Sequence, residues 1–450
     1  MISFELNYFP DNLIRNNPDF SEILADLETK STLSRGKIKD QIKRSLFFST
    51  ADNYQQVDDA LSFKRNLGIF HDLVVVVGSS EFNTTLKAVT DTLNHKYTGL
   101  VSSCHSGAKP IIAYLEGQVS EPEMVEFLDL LEEKEPLINF VCGNDSLCEI
   151  AANYRIIKSH LQKKYTRQEV DQRIIFTARL NEEKQTGSWL LDLRNNVCPA
   201  NFDLSIRLDP LILTLILCGF SGYDFVDGFE SLFSIFENDD HPDQKALSQY
   251  ISTKFAFFSA GYDCELIFRC DQKLENFGNY LQKLSLSQAP LNGKFLQAHL
   301  PFSDALEVMA CHGRGGNDSK IFGNFLNVDE IKNPDGGYIE RRLRIPHIKG
   351  ISDHHGYIEG RWLNEVKTAA LKGTIHLFNE AKMPSVCIRL SRLDERGIAS
   401  LVSFFEIAQN IFSRLSGYQG YQEKPQNRVV NISHFLGKSG RNIPSGLTVG

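Results

Sequence analysis

The hydrophobic positions fall in short blocks separated by polar helix-like stretches. Asp72-Leu73-Val74-Val75-Val76-Val77-Gly78 is a continuous β-branched run ending in glycine. Such a run fits a strand buried on both faces of a parallel sheet. Ser79 and Ser80 follow, and Asn83 or Thr84 is a good cap for a helix starting there. The pattern then repeats. Ile111 to Leu115 reads as a strand, Glu121 to Glu133 as a helix with Pro122 in its first turn, and Leu137 to Gly143 as a strand. Asn144-Asp145-Ser146 caps a long helix from Leu147 to Tyr165, and Arg173 to Thr177 closes the series as a strand. Strand and helix alternating through short connections predict a parallel sheet covered on both faces. Ligands of such sheets bind outside the carboxyl ends of the strands, which singles out 78–84 and 142–146.

A second block begins near Pro210. Leu211 to Cys218 reads as an apolar helix, and Cys264 to Cys270, Phe295 to Ala298 and Val386 to Leu390 as strands. Leu401 to Leu415 reads as a long apolar helix, whereas Asn317 to Gly356 is Gly-, Asp- and His-rich and reads as loop with a little strand. The residues before about 45 read as polar and helical, with apolar spacing over Ile23–Leu33 and Ile38–Leu46. The expected fold class is α/β, divided into a helical N-terminal extension (1–45), two αβα units (46–195 and 196–415) and a tail (416–450).

Composition narrows the function classes. The 450 residues are 42% hydrophobic and 23% charged, as in an ordinary globular protein. The formal net charge of −8 argues against a nucleic-acid binder, which would carry a basic footprint. The most apolar stretch, Leu208 to Phe220, is broken by Asp209, Pro210 and Thr214 and is too short to span a membrane. The opening residues lack the basic and apolar regions of a signal peptide. Nine scattered cysteines with no CxxC pair suit reduced thiols in a cytoplasm.

Five segments in fixed order carry a resemblance: Val74 to Val89, INFVCGNDSLCEIAANYRIIKSHLQKKY, Phe295 to Val328, AALKGTIHLFNEAKMP, and Leu401 to Leu415. Their order and spacing resemble the glucose-6-phosphate isomerase family in its short bacterial form. The resemblance covers roughly residues 50–440. It implies two sugar-isomerase-type subdomains with parallel sheets, a site between them, a homodimer, a sugar-phosphate substrate and no cofactor. It also implies ring opening by His and Lys, proton transfer by Glu, an Arg stabilising the enediol, and a Ser/Thr-rich loop at a helix N-terminus holding the phosphate.

The residues at those positions depart from the family's pattern. Its GGS core falls on Ser79, Ser80 and Glu81, so two glycines are gone and a carboxylate has appeared. Its SKSGTT loop falls on Cys142 to Leu147, where the Lys is absent, Asp145 adds negative charge, and Asn144 and Ser146 remain as donors or as helix caps. Its GGRYS motif falls near Arg207 without the glycines. Arg314 stands where the QEG motif has its Glu, and a guanidinium cannot serve as a base. His312 is the neighbouring candidate base. The C-terminal signature falls on Tyr421 to Asn427, with Lys424 or Arg428 near the Lys position. Glu307, Glu330 and Lys424 are candidates to replace the missing groups.

His354, beside His355, is the candidate for the ring-opening His. One adjacent His pair is not a metal set, so no metal is expected. Cys311 beside His312 makes a poor nucleophile–base pair if the chain there is extended, because neighbours then point apart. Cys264 and Cys270 are expected in the core.

The expected catalytic set is therefore His312, Arg207 and His354, and the ligand-binding set Ser79, Ser80, Asn144, Ser146 and Arg314. Three readings stay open: an isomerase with replaced residues, a non-catalytic sugar or sugar-phosphate binder, and a structural or regulatory partner of an authentic isomerase.

Overall fold

The computed structural model describes residues 1–8, 53–97, 109–116, 119–142, 147–178, 197–199, 208–234, 242–287, 295–314, 320–331, 343–348 and 354–416. Its strands are β1 (Ile2–Tyr8), β2 (Leu73–Gly78), β3 (Ile111–Glu116), β4 (Pro136–Cys142), β5 (Ile174–Ala178), β6 (Val197–Pro199), β7 (Cys264–Arg269), β8 (Leu296–Pro301), β9 (Ile321–Ile331) and β10 (Ser385–Leu393). The helices are α1 (Asn53–Leu67), α2 (Ser80–Leu93), α3 (Glu121–Glu133), α4 (Leu147–Leu161), α5 (Arg167–Arg173) and α6 (Leu208–Leu217). They continue with α7 (Gly222–Ser234), α8 (Pro242–Ser259), α9 (Glu275–Ser287), α10 (Ala305–Arg314), α11 (Leu363–Glu380) and α12 (Glu395–Leu415). The chain divides into two compact units, each built on one five-stranded sheet.

One unit has the strand order β3-β2-β4-β5-β6, and every neighbouring pair is parallel. Val75 and Val77 of β2 join Ile138 and Phe140 of β4 and Phe176 of β5 in a core with Met124 and Phe127 of α3 and Ile150 and Ile157 of α4. These side chains alternate along their strands, so the opposite face carries Val74, Val76, Asn139 and Thr177. Asn139 Oδ1 accepts from Thr177 Oγ1 at 2.8 Å, which offsets part of the cost of burying the amide on that face.

The long helix expected to Tyr165 stops at Leu161. The chain turns and starts again as α5, because Thr166 and Glu169 form a capping box that favours a new helix start. At the amino ends of the strands, Arg173 Nη2 donates to Glu135 Oε2 at 2.6 Å and Tyr165 Oη donates to the same oxygen at 3.0 Å. Lys164 lies 3.2 Å from the other oxygen. Burial acts to raise the Glu135 pKa. The Tyr165 and Lys164 hydrogen bonds and the Arg173 charge outweigh it and hold the group below its ordinary value.

The other unit has the order β1-β10-β9-β7-β8. Its strands are parallel except β1, which pairs antiparallel with β10. Phe268, Phe325 and Cys387 face α10 and α11 through Ala305, Leu371 and Phe378. Phe257 of α8, Phe295, Phe322 and Phe412 of α12 form a second aromatic cluster.

Within this unit lies a charged network sealed from water. Glu265 is fully buried, and its Oε1 accepts from Tyr250 Oη and Asn324 Nδ2, both at 2.8 Å. Its Oε2 accepts from Gln297 Nε2 and lies 3.0 Å from Lys254 Nζ. Lys254, 2% exposed, also donates to Gln409 Oε1 at 3.0 Å, and its ammonium lies over the rings of Phe412 and Phe295. A buried pair of this kind is tolerated only when the hydrogen bonds are complete, and here both carboxylate oxygens are filled.

Two expectations are corrected. The opening residues are not helical: Ile2, Phe4 and Leu6 alternate with Ser3, Glu5 and Asn7, and β1 takes the two-residue period. The helices expected over 23–33 and 38–46 lie outside the described residues. The stretch from Asn317, read as loop with a little strand, holds β9, a full eleven-residue strand between β10 and β7. Its polar members hid it: Asn324 is buried because it donates to Glu265, and Asn327 because it donates to Asp329.

Candidate functional site

Sequence reasoning points to the carboxyl ends of the parallel strands, and each unit is described there in turn. In the unit built on β2, the strand ends at Gly78 and the chain enters α2 almost at once. Ser79 Oγ accepts from Phe82 N at 3.2 Å, which makes Ser79 the cap. The helix therefore starts earlier than the cap expected at Asn83 or Thr84. Thr84 Oγ1 is spent inside it, donating to Ser80 O at 2.7 Å.

Asn83 is buried under the first turn, with Nδ2 donating to Leu115 O at 3.0 Å at the end of β3. Its Oδ1 finds no partner in the structure. A Cβ on Gly78 would lie 3.3 Å from both Asn83 Oδ1 and Phe82 Cδ1, so glycine lets the helix start close above the strand end. Ser79 and Ser80 are exposed. Two exposed serines at a helix start on a strand end suit an anion, which the positive end of the helix dipole favours.

In the unit built on β7 and β9, a shallow, open depression of about 420 Å³ lies at the ends of β9 and β10, lined by Asp329, Glu330, Ser391 and Arg392. Glu330 is one of the two carboxylates, with Glu307, expected as candidate replacements for the missing groups. The neighbourhood is held by cross-element bonds. Lys367 Nζ of α11 lies 3.2 Å from Asp271 Oδ2 and donates to Val328 O at 3.4 Å. Asn364 Nδ2 donates to Asp329 O, and Arg392 Nε lies 3.6 Å from Asp394 Oδ2. Asp271, Lys367 and Arg392 were not picked out from sequence. Their one legible signal is position, since Asp271 follows β7 and Arg392 sits at the end of β10.

No family model matches the chain. The glucose-6-phosphate isomerase of Shouchella clausii (strain KSM-K16) is 23% identical over 379 residues, covering 82% of this chain and 80% of the relative. That of Clostridioides difficile (strain 630) is 24% identical over 384 residues, covering 82% and 81%. The chain is similar to glucose-6-phosphate isomerases over about four-fifths of its length.

Solved structures agree on the fold. A hypothetical protein of Thermus thermophilus superposes with a TM-score of 0.67 at 13% identity, covering 96% of this chain and 98% of the other. A glucose-6-phosphate isomerase of Chlamydia trachomatis gives 0.63 at 12% identity, covering 87% and 75%. The two units, parallel in their sheets except for β1, share the fold of these two structures.

The expected site residues fall unevenly. Ser79 and Ser80 lie together at the start of α2. Asn144, Ser146 and Arg207 lie outside the described residues, as do Lys424 and Arg428. His312 and Arg314 fall on the last turn of α10, and their side chains lie outside the described residues. The chain at Cys311-His312 is thus helical, not extended, so successive residues there diverge by a helical step rather than a strand step. Glu307 is exposed on the same helix.

His354 is exposed and takes a left-handed backbone, φ 62°, before the short turn at Gly356. His355 packs edge-on against Tyr357, and His347 Nδ1 lies 2.7 Å from Glu359 Oε2. Among the described residues, no three His, Cys, Asp or Glu side chains gather as a metal set, and no helix is long and apolar enough to cross a membrane. Cys264 and Cys270 pack against the aromatic core. Burial pushes the Cys264 thiol up to about 11, and the Cys270 thiol up further, which makes both poor nucleophiles at neutral pH.

Proposed function

We propose that this protein binds a sugar phosphate, in the manner its relatives' name implies, and that its aldose–ketose isomerisation is lost or altered. The observation that supports it most directly is the start of α2. Ser79 and Ser80 present exposed hydroxyls at a helix N-terminus placed on the carboxyl end of β2, in a chain similar to glucose-6-phosphate isomerases over four-fifths of its length. Asn144 and Ser146 complete this phosphate site in the proposal, and Arg207 and Arg314 add charge.

Loss of efficient turnover is proposed because Arg314 stands where a carboxylate base is needed, and groups that act as a unit fail together. His312 and His354 are the remaining candidates for proton transfer. The protein is proposed to work in the cytoplasm as a homodimer.

The test is isomerisation of glucose 6-phosphate coupled to a dehydrogenase readout, for the wild type and Arg314→Glu, with calorimetric binding of the same sugar phosphate. Binding without turnover supports the proposal, and turnover gained in the variant shows the old site still assembled. Efficient wild-type turnover refutes the loss of activity, and absence of binding refutes the sugar-phosphate site.

A further inference from the structure

Arg269 ends β7 at the carboxyl edge of its sheet and is half-buried. Elsewhere in the same unit Arg389 pairs with Glu5, Arg392 with Asp394 and Arg396 with Asp227. Arg269 is different. Its partner is an imidazole, with Nη1 3.1 Å from His299 Nδ1, and among the described residues no carboxylate lies within ion-pair distance of it.

The protonation states follow from donor counting. A guanidinium only donates, so His299 Nδ1 must be the bare, accepting nitrogen. The imidazole proton is then on Nε2, which donates to Asn279 Oδ1 at 2.8 Å. Burial first, and the Arg269 charge second, lower the His299 pKa, with Glu275 opposing them, so the ring stays neutral. A carboxylate in place of His299 would cancel the charge it holds. A neutral imidazole fixes the direction of the guanidinium, uses one of its five N–H groups and leaves the positive charge whole.

The arrangement is built by three elements. β7 and β8 pair in register, Ile267 with His299 and Arg269 with Pro301, so His299 is the diagonal neighbour of Arg269 on one sheet face. Asn279 comes from α9. Gly278, one residue earlier on that helix, leaves the space the ring occupies: a Cβ there would stand 2.5 Å from His299 Nδ1 and 2.7 Å from Cγ.

We propose that Arg269 anchors an oxyanion site on this unit, taking a carboxylate or phosphate group, with His299 and Asn279 as positioning residues. A fork of N–H donors with its charge uncompensated, at the end of a parallel strand, matches the bidentate geometry of such groups. The site does not rest on the sugar-phosphate reading, whose described residues, Ser79 and Ser80, belong to the other unit.

The test is phenylglyoxal modification of the full chain, with the Arg269 peptide followed by mass spectrometry in inorganic phosphate or in acetate. Modification of Arg269 is expected to slow roughly tenfold when the protecting anion stands about ten times above its Kd. Protection by either anion supports the site and names its class. His299→Ala is expected to lose the protection while keeping the wild-type circular dichroism. An Arg269 rate unchanged in both anions up to roughly 100 mM, beyond the Kd of even a millimolar site, overturns the proposal. So does full protection retained in His299→Ala, which would remove the positioning role.

Discussion

Lys254→Met tests whether the buried network of the β7 unit holds a true charge pair. Methionine keeps most of the aliphatic length of the lysine but not the ammonium that lies over Tyr250, Phe295 and Phe412. It removes the ammonium 3.0 Å from Glu265 and the hydrogen bond to Gln409. Glu265 would keep its three neutral donors, Tyr250, Asn324 and Gln297. It would then be a fully buried carboxylate without a counter-charge, and Gln409 would lose its donor. Removing one member of a buried pair costs about 3–5 kcal/mol.

Urea denaturation followed by circular dichroism should report that loss, and hydrogen exchange should place it in the amides of β7 and β9. Glu265→Gln in the same background removes the stranded charge. The double variant should therefore recover about 1–3 kcal/mol relative to the sum of the single changes. A Lys254→Met cost below about 1 kcal/mol, or a double variant that is simply additive, would refute the charge-pair account.

Two other outcomes follow from the same structure. Glu135 has a folded pKa below its ordinary 4.5, so its stabilisation is full above that value and is lost as pH falls through the lower folded pKa. Glu135→Gln should therefore destabilise at pH 7, and in urea titrations across pH the difference from wild type should shrink steadily below about 4.5. A difference that grows on acidification contradicts the assignment. Cys311 is exposed, whereas Cys218 and Cys387 are buried and burial raises both thiols, Cys387 to about 11. Iodoacetamide on the native protein, mapped by mass spectrometry, should label Cys311 well before Cys218 or Cys387. Equal rates would mean that these cores open freely.

The strands that were legible in the sequence are those whose burial rests on apolar side chains. The Val74–Val77 run declares β2 without any knowledge of its neighbours. β9 was only partly legible, as a little strand, for the opposite reason: Asn324 and Asn327 look like loop residues until Glu265 and Asp329 are known to meet them. β1 was missed because three alternating apolar residues are too few to outweigh the polar stretch that follows. At the site, position was readable and partnership was not. That ligands should approach near Gly78 follows from strand order, but nothing local tells Arg269 that its partner is a histidine thirty residues later, or Asp271 that Lys367 will reach it from α11.

The pairing of β1 with β10 sets a timetable for folding. Glu5 and Arg389 meet across 384 positions of chain. The all-parallel sheet, β2 to β6, draws on one continuous stretch of chain and can consolidate while synthesis is still under way. The first strand of the other sheet leaves the ribosome hundreds of residues before its partner exists. It must wait unpaired, with Ile2, Phe4 and Leu6 open to any other strand edge. During that interval the protein depends on chaperones or on speed, and a slowed ribosome late in the message would lengthen the exposure of β1 in particular.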